Sequence, residues 1–173
     1  MSVEPEIDIR YSRPMDAAYL KEWLTQEAVS KWFPMSTPAE IDAAVATWML
    51  FCRYQAGLTA TINHVPCAMS ILFLMPYKKI SHHAPFKLCV DPKYWGKGIG
   101  SSLLKNTKHL AKTYFKLDAI HIEVFGDNPL IALLEKFDFH PFAKQENYVK
   151  VGGLYQPRTC LISELTENPE DLQ

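Results

Sequence analysis

The chain has 173 residues, 18 basic and 19 acidic side chains and a net charge of −1, and it is 48% hydrophobic and 21% charged. That length favours one domain and buries roughly 70% of the unfolded surface, and the composition excludes disorder outside the tails. Balanced charge argues against a nucleic-acid partner held by a basic surface, and no apolar run reaches the ~18 residues of a membrane span.

The elements follow in chain order. Ile7 to Tyr11 alternates as a strand does. Pro14 fits only the first turn of a helix, whose buried face is Ala17, Leu20, Trp23 and Leu24. Lys31-Trp32-Phe33-Pro34-Met35 is an aromatic loop. Thr37-Pro38-Ala39-Glu40 is a capping box, in which hydroxyl and carboxylate each satisfy an orphan amide. Behind it, Ile41, Ala44, Val45, Trp48 and Met49 form a buried stripe. Gly57 to Asn63 and Cys67 to Met75 predict two strands around a turn at His64 to Pro66, the second covered on both faces. Phe86 to Val90 is the next strand. The helix that follows runs to about Phe115 with Leu103, Leu104, Thr107, Leu110, Ala111 and Tyr114 inside, and Lys105, Lys108, Lys112 and Lys116 on a wet face.

Ala119 to Phe125 reads as a strand, and Asp127-Asn128-Pro129 as the start of a helix burying Leu130, Ile131, Leu133, Leu134 and Phe137. Strands near Pro141 to Val149 and Gln156 to Leu165 complete residues 1–165, taken as one domain, and 166–173 read as a polar tail. The acidic start is unlike a secretory signal. The cysteines Cys52, Cys67, Cys89 and Cys160 include no Cys-x-x-Cys pair, and the six histidines show no zinc spacing. The expectation is a reduced, cytoplasmic, metal-free α/β protein with a mixed sheet and helices packed on it.

The most informative segment joins the strand ending at Val90 to the helix opening at Gly96-Lys97-Gly98-Ile99-Gly100. Glycine accepts positive φ and lets a ligand approach the backbone closely. A helix starting there turns unpaired amides and its positive dipole end outward, a seat for phosphate oxygens. A Walker loop is excluded because the lysine falls between the glycines. In a Rossmann loop the third glycine would come one place later, and an acid would end the next strand, whereas Glu123 lies within it.

Val90-Asp-Pro-Lys-Tyr-Trp-Gly-Lys-Gly-Ile-Gly100 resembles motif A of the GNAT acyl-CoA N-acyltransferases, Arg/Gln-x-x-Gly-x-Gly/Ala, with Gly98 and Gly100 at the small positions and Trp95 at the Arg/Gln position. Tyr-Trp-Gly-x-Gly is frequent in the branch of ribosomal-protein N-terminal acetyltransferases. Asp127 to Phe139 is similar to that family's Asn-x-x-Ala-Ile-x-Leu-Tyr-Glu-Lys-x-Gly-Phe, with Leu134 at the tyrosine place and Asp138 at the glycine place. The likeness extends from about Ile7 to Leu165.

The resemblance implies a mostly antiparallel sheet of about seven strands flanked by about four helices. It implies acetyl-CoA as co-substrate and direct transfer of the acetyl group to a primary amine, of a small molecule or a peptide, by a monomer or homodimer. Strands Phe86–Val90 and Ala119–Phe125 would splay apart around pantetheine. Backbone at Leu88, Cys89 and Val90 would hold the pantetheine and polarise the thioester. The loop Trp95, Gly96, Lys97, Gly98, Ile99, Gly100 and Ser101, together with Asn128, would bind the rest of the coenzyme. Trp32 and Phe33 stand where the family places substrate contacts.

Glu123 and His83 are the candidate bases, and His82-His83 also fits a solvated strand entrance. Leu134 cannot serve as the acid, which leaves Tyr148, Tyr114 and Tyr155. Cys89 in an apolar strand, without a paired histidine, does not suit a nucleophile. The competing function is a non-catalytic acyl-CoA-binding module.

Overall fold

The computed structural model describes residues 5–166, so 167–173 of the expected tail lie outside the described residues. Among them are β1 (Ile7–Tyr11), α1 (Ala17–Thr25), α2 (Glu27–Ser30), α3 (Pro38–Cys52), β2 (Gly57–Ile62), β3 (Val65–Leu72), β4 (His83–Val90), α4 (Ile99–His109), β5 (Ala119–Phe125), α5 (Leu130–Lys136), β6 (His140–Val151) and β7 (Leu154–Glu164). The strands follow the order β1-β2-β3-β4-β5-β7-β6 in one sheet. β4 and β5 are parallel, whereas β1–β2, β2–β3, β5–β7 and β6–β7 are antiparallel. The expected mixed sheet is present, with five helices rather than four because α2 adds a separate turn after α1. Among the described residues no helix is long and apolar enough to cross a membrane.

The chain divides into two compact units, one running to Phe73 and including Lys87–Thr107, the other comprising Leu74–Phe86 and the chain from Lys108 onward. In the first unit Leu20, Trp23, Leu24, Ile41, Val45, Trp48, Met69 and Ile71 form a buried cluster, as the helical and strand periodicities require. Phe33 and Met35 of the aromatic loop pack against that cluster. The Thr37 box closes α3 as expected: Thr37 Oγ1 accepts from the Glu40 amide at 3.2 Å, and Glu40 Oε2 accepts from the Thr37 amide at 2.9 Å.

Asp16, fully buried before α1, accepts from Arg10 Nη1 and Nη2 at 2.8 and 2.9 Å, the Arg13 amide at 2.8 Å and Thr59 Oγ1 at 2.9 Å. Burial alone would raise its pKa. The bonds from Arg10, Arg13 and Thr59 prevail and hold it below the ordinary carboxylate range. Removing either partner of such a pair strands a buried charge, at about 3–5 kcal/mol.

The β2–β3 turn lies at Asn63–His64 rather than His64–Pro66, because both residues take positive φ (48° and 67°) and Pro66 enters β3. In the second unit Gly152 and Gly153 do the same at φ 56° and 82°, so β6 and β7 pair up to Val151↔Leu154 and are longer than expected. β4 starts at His83, three residues earlier than the sequence suggested, through pairing with Ala119.

The helix after the glycine loop changes to a π-helical turn at Leu110–Tyr114. The wider turn rotates the stripe, and Tyr114 is exposed rather than buried. Lys108 leaves the wet face that was expected of it, its Nζ donating to the Phe137 carbonyl at 2.6 Å while burial lowers its pKa. On α5 only Leu134 is fully buried.

Candidate active site

The first unit holds the glycine loop. The Asp91 amide donates to the Cys67 carbonyl at 2.8 Å, and Asp91 Oδ1 accepts from the Lys93 amide at 3.1 Å, which starts the tight turn Pro92–Tyr94. Trp95 Nε1 then donates to the Val90 carbonyl at 2.9 Å. Gly96 and Gly98 adopt φ 74° and 78°, a region that side chains with a Cβ rarely occupy. A Cβ built at either would meet nothing within 4 Å, so the surface over the loop is open.

The first helical bond runs from the Ser102 amide to the Gly98 carbonyl at 3.1 Å. The amides from Gly96 to Ser101 donate to no protein acceptor among the described residues. They are bare donors, at the positive end of an 11-residue helix. Along β4, Leu88 and Cys89 are buried, and burial pushes the Cys89 thiol far above its ordinary range, consistent with an inert core cysteine. The ladder between β4 and β5 spans only His83↔Ala119 to Pro85↔His121, although both strands continue. Val90 has its carbonyl engaged by the indole.

The second unit holds the ionisable groups. On β5, Ile120, Ile122 and Val124 are buried, whereas Ala119, His121 and Glu123 of the opposite face are half-buried. In-register partners share a face: Pro85 and Ile162 beside His121, Cys160 beside Glu123, Arg158 beside Phe125. The His83 and His121 rings lie 5.3 Å apart between centroids, and His82 meets His83 edge-on at 4.9 Å. His83 Nδ1 is buried without a hydrogen-bond partner among the described residues. Burial lowers the His121 pKa, His83 lowers it further, and Glu123 partly opposes both. A histidine so placed is neutral near pH 7 and able to take a proton.

Glu123 Oε2 accepts from Arg158 Nη1 at 3.1 Å, and Arg158 Nη2 donates to Gln145 Oε1 at 3.0 Å. The hydrogen bond to Glu123 raises the Arg158 pKa. The guanidinium lies 4.2 Å from the Tyr148 ring centroid, and Tyr148 stacks on Phe125 at 5.9 Å.

His83, Glu123 and Tyr148 therefore share one face, together with His121 and Arg158, which sequence reasoning missed. Alternation along β5 could have found His121, two residues before Glu123. Arg158 lies on another strand, and its relation to Glu123 is set by register alone. Asn128 uses Oδ1 to accept from the Leu130 amide at 3.0 Å, capping α5. Tyr155 is exposed beneath Lys150, and Tyr114 is exposed against Phe115. Among the described residues no group of three or more His, Cys, Asp or Glu could hold a metal ion.

The sequence matches the acetyltransferase (GNAT) family over residues 17–139. The chain belongs to the GNAT family. It is 30% identical over 76 residues to L-amino acid N-acetyltransferase AaaT of Escherichia coli (strain K12), a stretch covering 43% of this chain and 47% of that one. The chain thus spans about half the length of this curated relative. A Salmonella typhimurium protein solved with its cofactor acetyl-CoA has the same fold, with TM-score 0.76, 18% identity, and 94% and 96% of the two chains covered. So has a ribosomal-protein-alanine N-acetyltransferase from Brucella melitensis, with TM-score 0.78, 17% identity, and 91% and 99% covered.

The GNAT loop of this chain fits coenzyme A on its own geometry: open space above two left-handed glycines, and a run of amides without acceptors. The GNAT tyrosine place is a different matter. Leu134 there is 0% exposed, so its side chain belongs to the core.

Proposed function

We propose that the protein is an acetyl-CoA-dependent N-acetyltransferase that moves an acetyl group to a primary amine by direct attack on the thioester. The observation that carries this reading is the row of acceptor-free amides from Gly96 to Ser101 at the start of α4, in a chain of this family. Those amides and the helix dipole would bind the diphosphate. Backbone of Leu88, Cys89 and Val90 would hold the pantetheine, and an amide there would stabilise the negative charge that develops on the carbonyl oxygen. Bound acetyl-CoA supplies the activated acetyl group.

The attacking amine must shed a proton. The neutral His121 beside His83 is the acceptor this face offers, in preference to Glu123, whose carboxylate Arg158 already engages. Tyr148, whose ring lies under the Arg158 guanidinium, is the phenol we assign to supply a proton to the departing thiolate. Trp32 and Phe33 remain candidate substrate contacts, Phe33 through the face it leaves free of the core.

The amine is a monoamine of a small molecule or a peptide. On the described face of β5 and β7 the carboxylates are Glu123, already paired with Arg158, and Glu164, in register with Ala119 at the strand end, which suits a monoamine better than a polyamine. The four cysteines are free thiols, as suits a reducing cytoplasm. The family match crosses from one compact unit into the other, which supports one functional domain over 1–165.

The test is thiol release from acetyl-CoA with a panel of amino acids, peptides with free N-termini and polyamines. Amine-dependent release, strongest with monoamines, is the expected result. Saturable coenzyme binding with no release for any amine would identify a non-catalytic acyl-CoA-binding module instead, a reading that the buried Leu134 favours.

A further inference from the structure

The indole of Trp95 is turned back along the chain rather than out over the glycines. Nε1 donates to the Val90 carbonyl at 2.9 Å although the residue is 47% exposed, where water could serve the same donor. The bond closes a short loop whose other end is fixed by Asp91, through the Cys67 carbonyl and the Lys93 amide. Beyond Trp95, the next side-chain or backbone bond among the described residues is that of the Ser102 amide to the Gly98 carbonyl. Between them lie the bare amides and both left-handed glycines, the part of the loop with most backbone freedom. Trp95 is thus the last fixed point before the phosphate seat.

We infer that Trp95 is a positioning residue for the coenzyme seat: its indole N–H ties the first residue of the glycine loop to the end of β4 and so sets where the amides from Gly96 onward aim. The inference rests on reading the loop as the diphosphate site.

Covalent chemistry sharpens it. The family pattern places Arg or Gln here, and Trp Nε1, Gln Nε2 and Arg Nε all lie three bonds beyond Cβ. All three side chains offer an N–H at the same reach from the backbone. What the position demands is that donor, neither positive charge nor aromatic bulk, and Trp95 meets the demand with a different side chain. Phenylalanine keeps most of the shape and lacks the donor.

The experiment uses the full chain with Trp95→Phe, Trp95→Gln and Trp95→Arg, calorimetry with acetyl-CoA, melting curves, and separate kcat and KM in the thiol-release assay. Trp95→Phe is expected to weaken acetyl-CoA binding about five- to tenfold, because the loop that the bond orders in the free protein must then be ordered on binding, at a cost up to about the worth of one neutral hydrogen bond. It should raise KM for acetyl-CoA more than it lowers kcat. Gln and Arg should restore affinity to within about twofold of the wild type.

The inference is overturned if Phe binds as tightly as Trp, or if Gln and Arg are as weak as Phe. Should Phe melt too early to assay, the Gln variant decides, wild-type affinity supporting the donor role and a tenfold loss overturning it. Failure of the wild-type chain to bind acetyl-CoA at all would reject the loop reading itself, and this inference with it, a result distinct from wild-type binding that Trp95→Phe leaves untouched.

Discussion

Gly98→Glu separates the coenzyme seat from a mere turn. Gly98 has φ 78° and nothing within 4 Å of an ideal Cβ, so a side chain there meets open space and only backbone strain opposes it. That strain is about 1–2 kcal/mol, is present in free and bound protein alike, and therefore appears in stability rather than affinity. The new carboxylate would stand over amides proposed to hold a diphosphate. At roughly 5 Å, with an effective dielectric between 20 and 80, each phosphate charge is repelled by about 1–3 kcal/mol. Two charges weaken binding by at least ~15-fold. Gly98→Ala carries the same strain without the charge, so the ratio of the two variants isolates the electrostatic part. Calorimetry with acetyl-CoA on variants shown by melting to be folded is the measurement. A folded Gly98→Glu protein that binds within threefold of the wild type would refute the assignment of the loop.

Leu134→Ala should cost about 2–5 kcal/mol in urea denaturation, as for a fully buried leucine, while kcat of the folded protein stays within a few-fold; a deep loss of kcat at full folding would contradict the core role given to Leu134. His121→Asn should lower kcat about 100-fold, typical of losing a general base. In the wild type, His121 accepts a proton only when neutral, and its pKa lies below 6.5, so activity should fall on acidification only beneath that pH. His83, Glu123 and Arg158 share its face and shape that limb. The substitution should abolish the limb, and a pH–kcat profile that keeps it would exclude His121.

The sequence announced its elements where the signal is local. The Thr37 capping box, the stripe of Trp23 and Trp48, and the alternation of Ala119 to Phe125 each reflect contacts within a few residues, and each is present. Hairpin ends were misjudged where conformation rather than hydropathy decides. Asn63 and His64 both take positive φ, which residue identity signals weakly for histidine. Tyr114 was misplaced because no sequence rule marks the π turn that rotates it outward. The glycine loop was legible because backbone geometry there depends on glycine itself. The face of β5 that carries His121 and Glu123 was legible only in part, since Glu123 meets Arg158 across a distance of 35 residues in sequence, set by the β5–β7 register.

Two departures from the family pattern, Leu134 in α5 and Asp138 just past its end, meet in one structural feature. The Phe139 amide donates to the Leu134 carbonyl at 3.1 Å and the Asp138 amide to that of Glu135 at 3.3 Å, the paired bonds of a Schellman ending. Asp138 occupies the left-handed position of that ending at φ 63°, where the family pattern has glycine. Aspartate tolerates this conformation better than most residues, at a cost of about 1–2 kcal/mol. Lys108 offsets part of it: Nζ donates to the adjacent Phe137 carbonyl, a cation at the negative end of α5, and Asp138 in turn favours its charged form. The motif keeps its shape with different residues, and Leu134 and Phe139, the two positions between which such an ending makes its apolar contact, are both buried. A phenol at position 134 would have to abandon that buried place to reach a substrate. Proton transfer in this chain is therefore sought on β5 and β6, where His121 and Tyr148 stand, and not on α5.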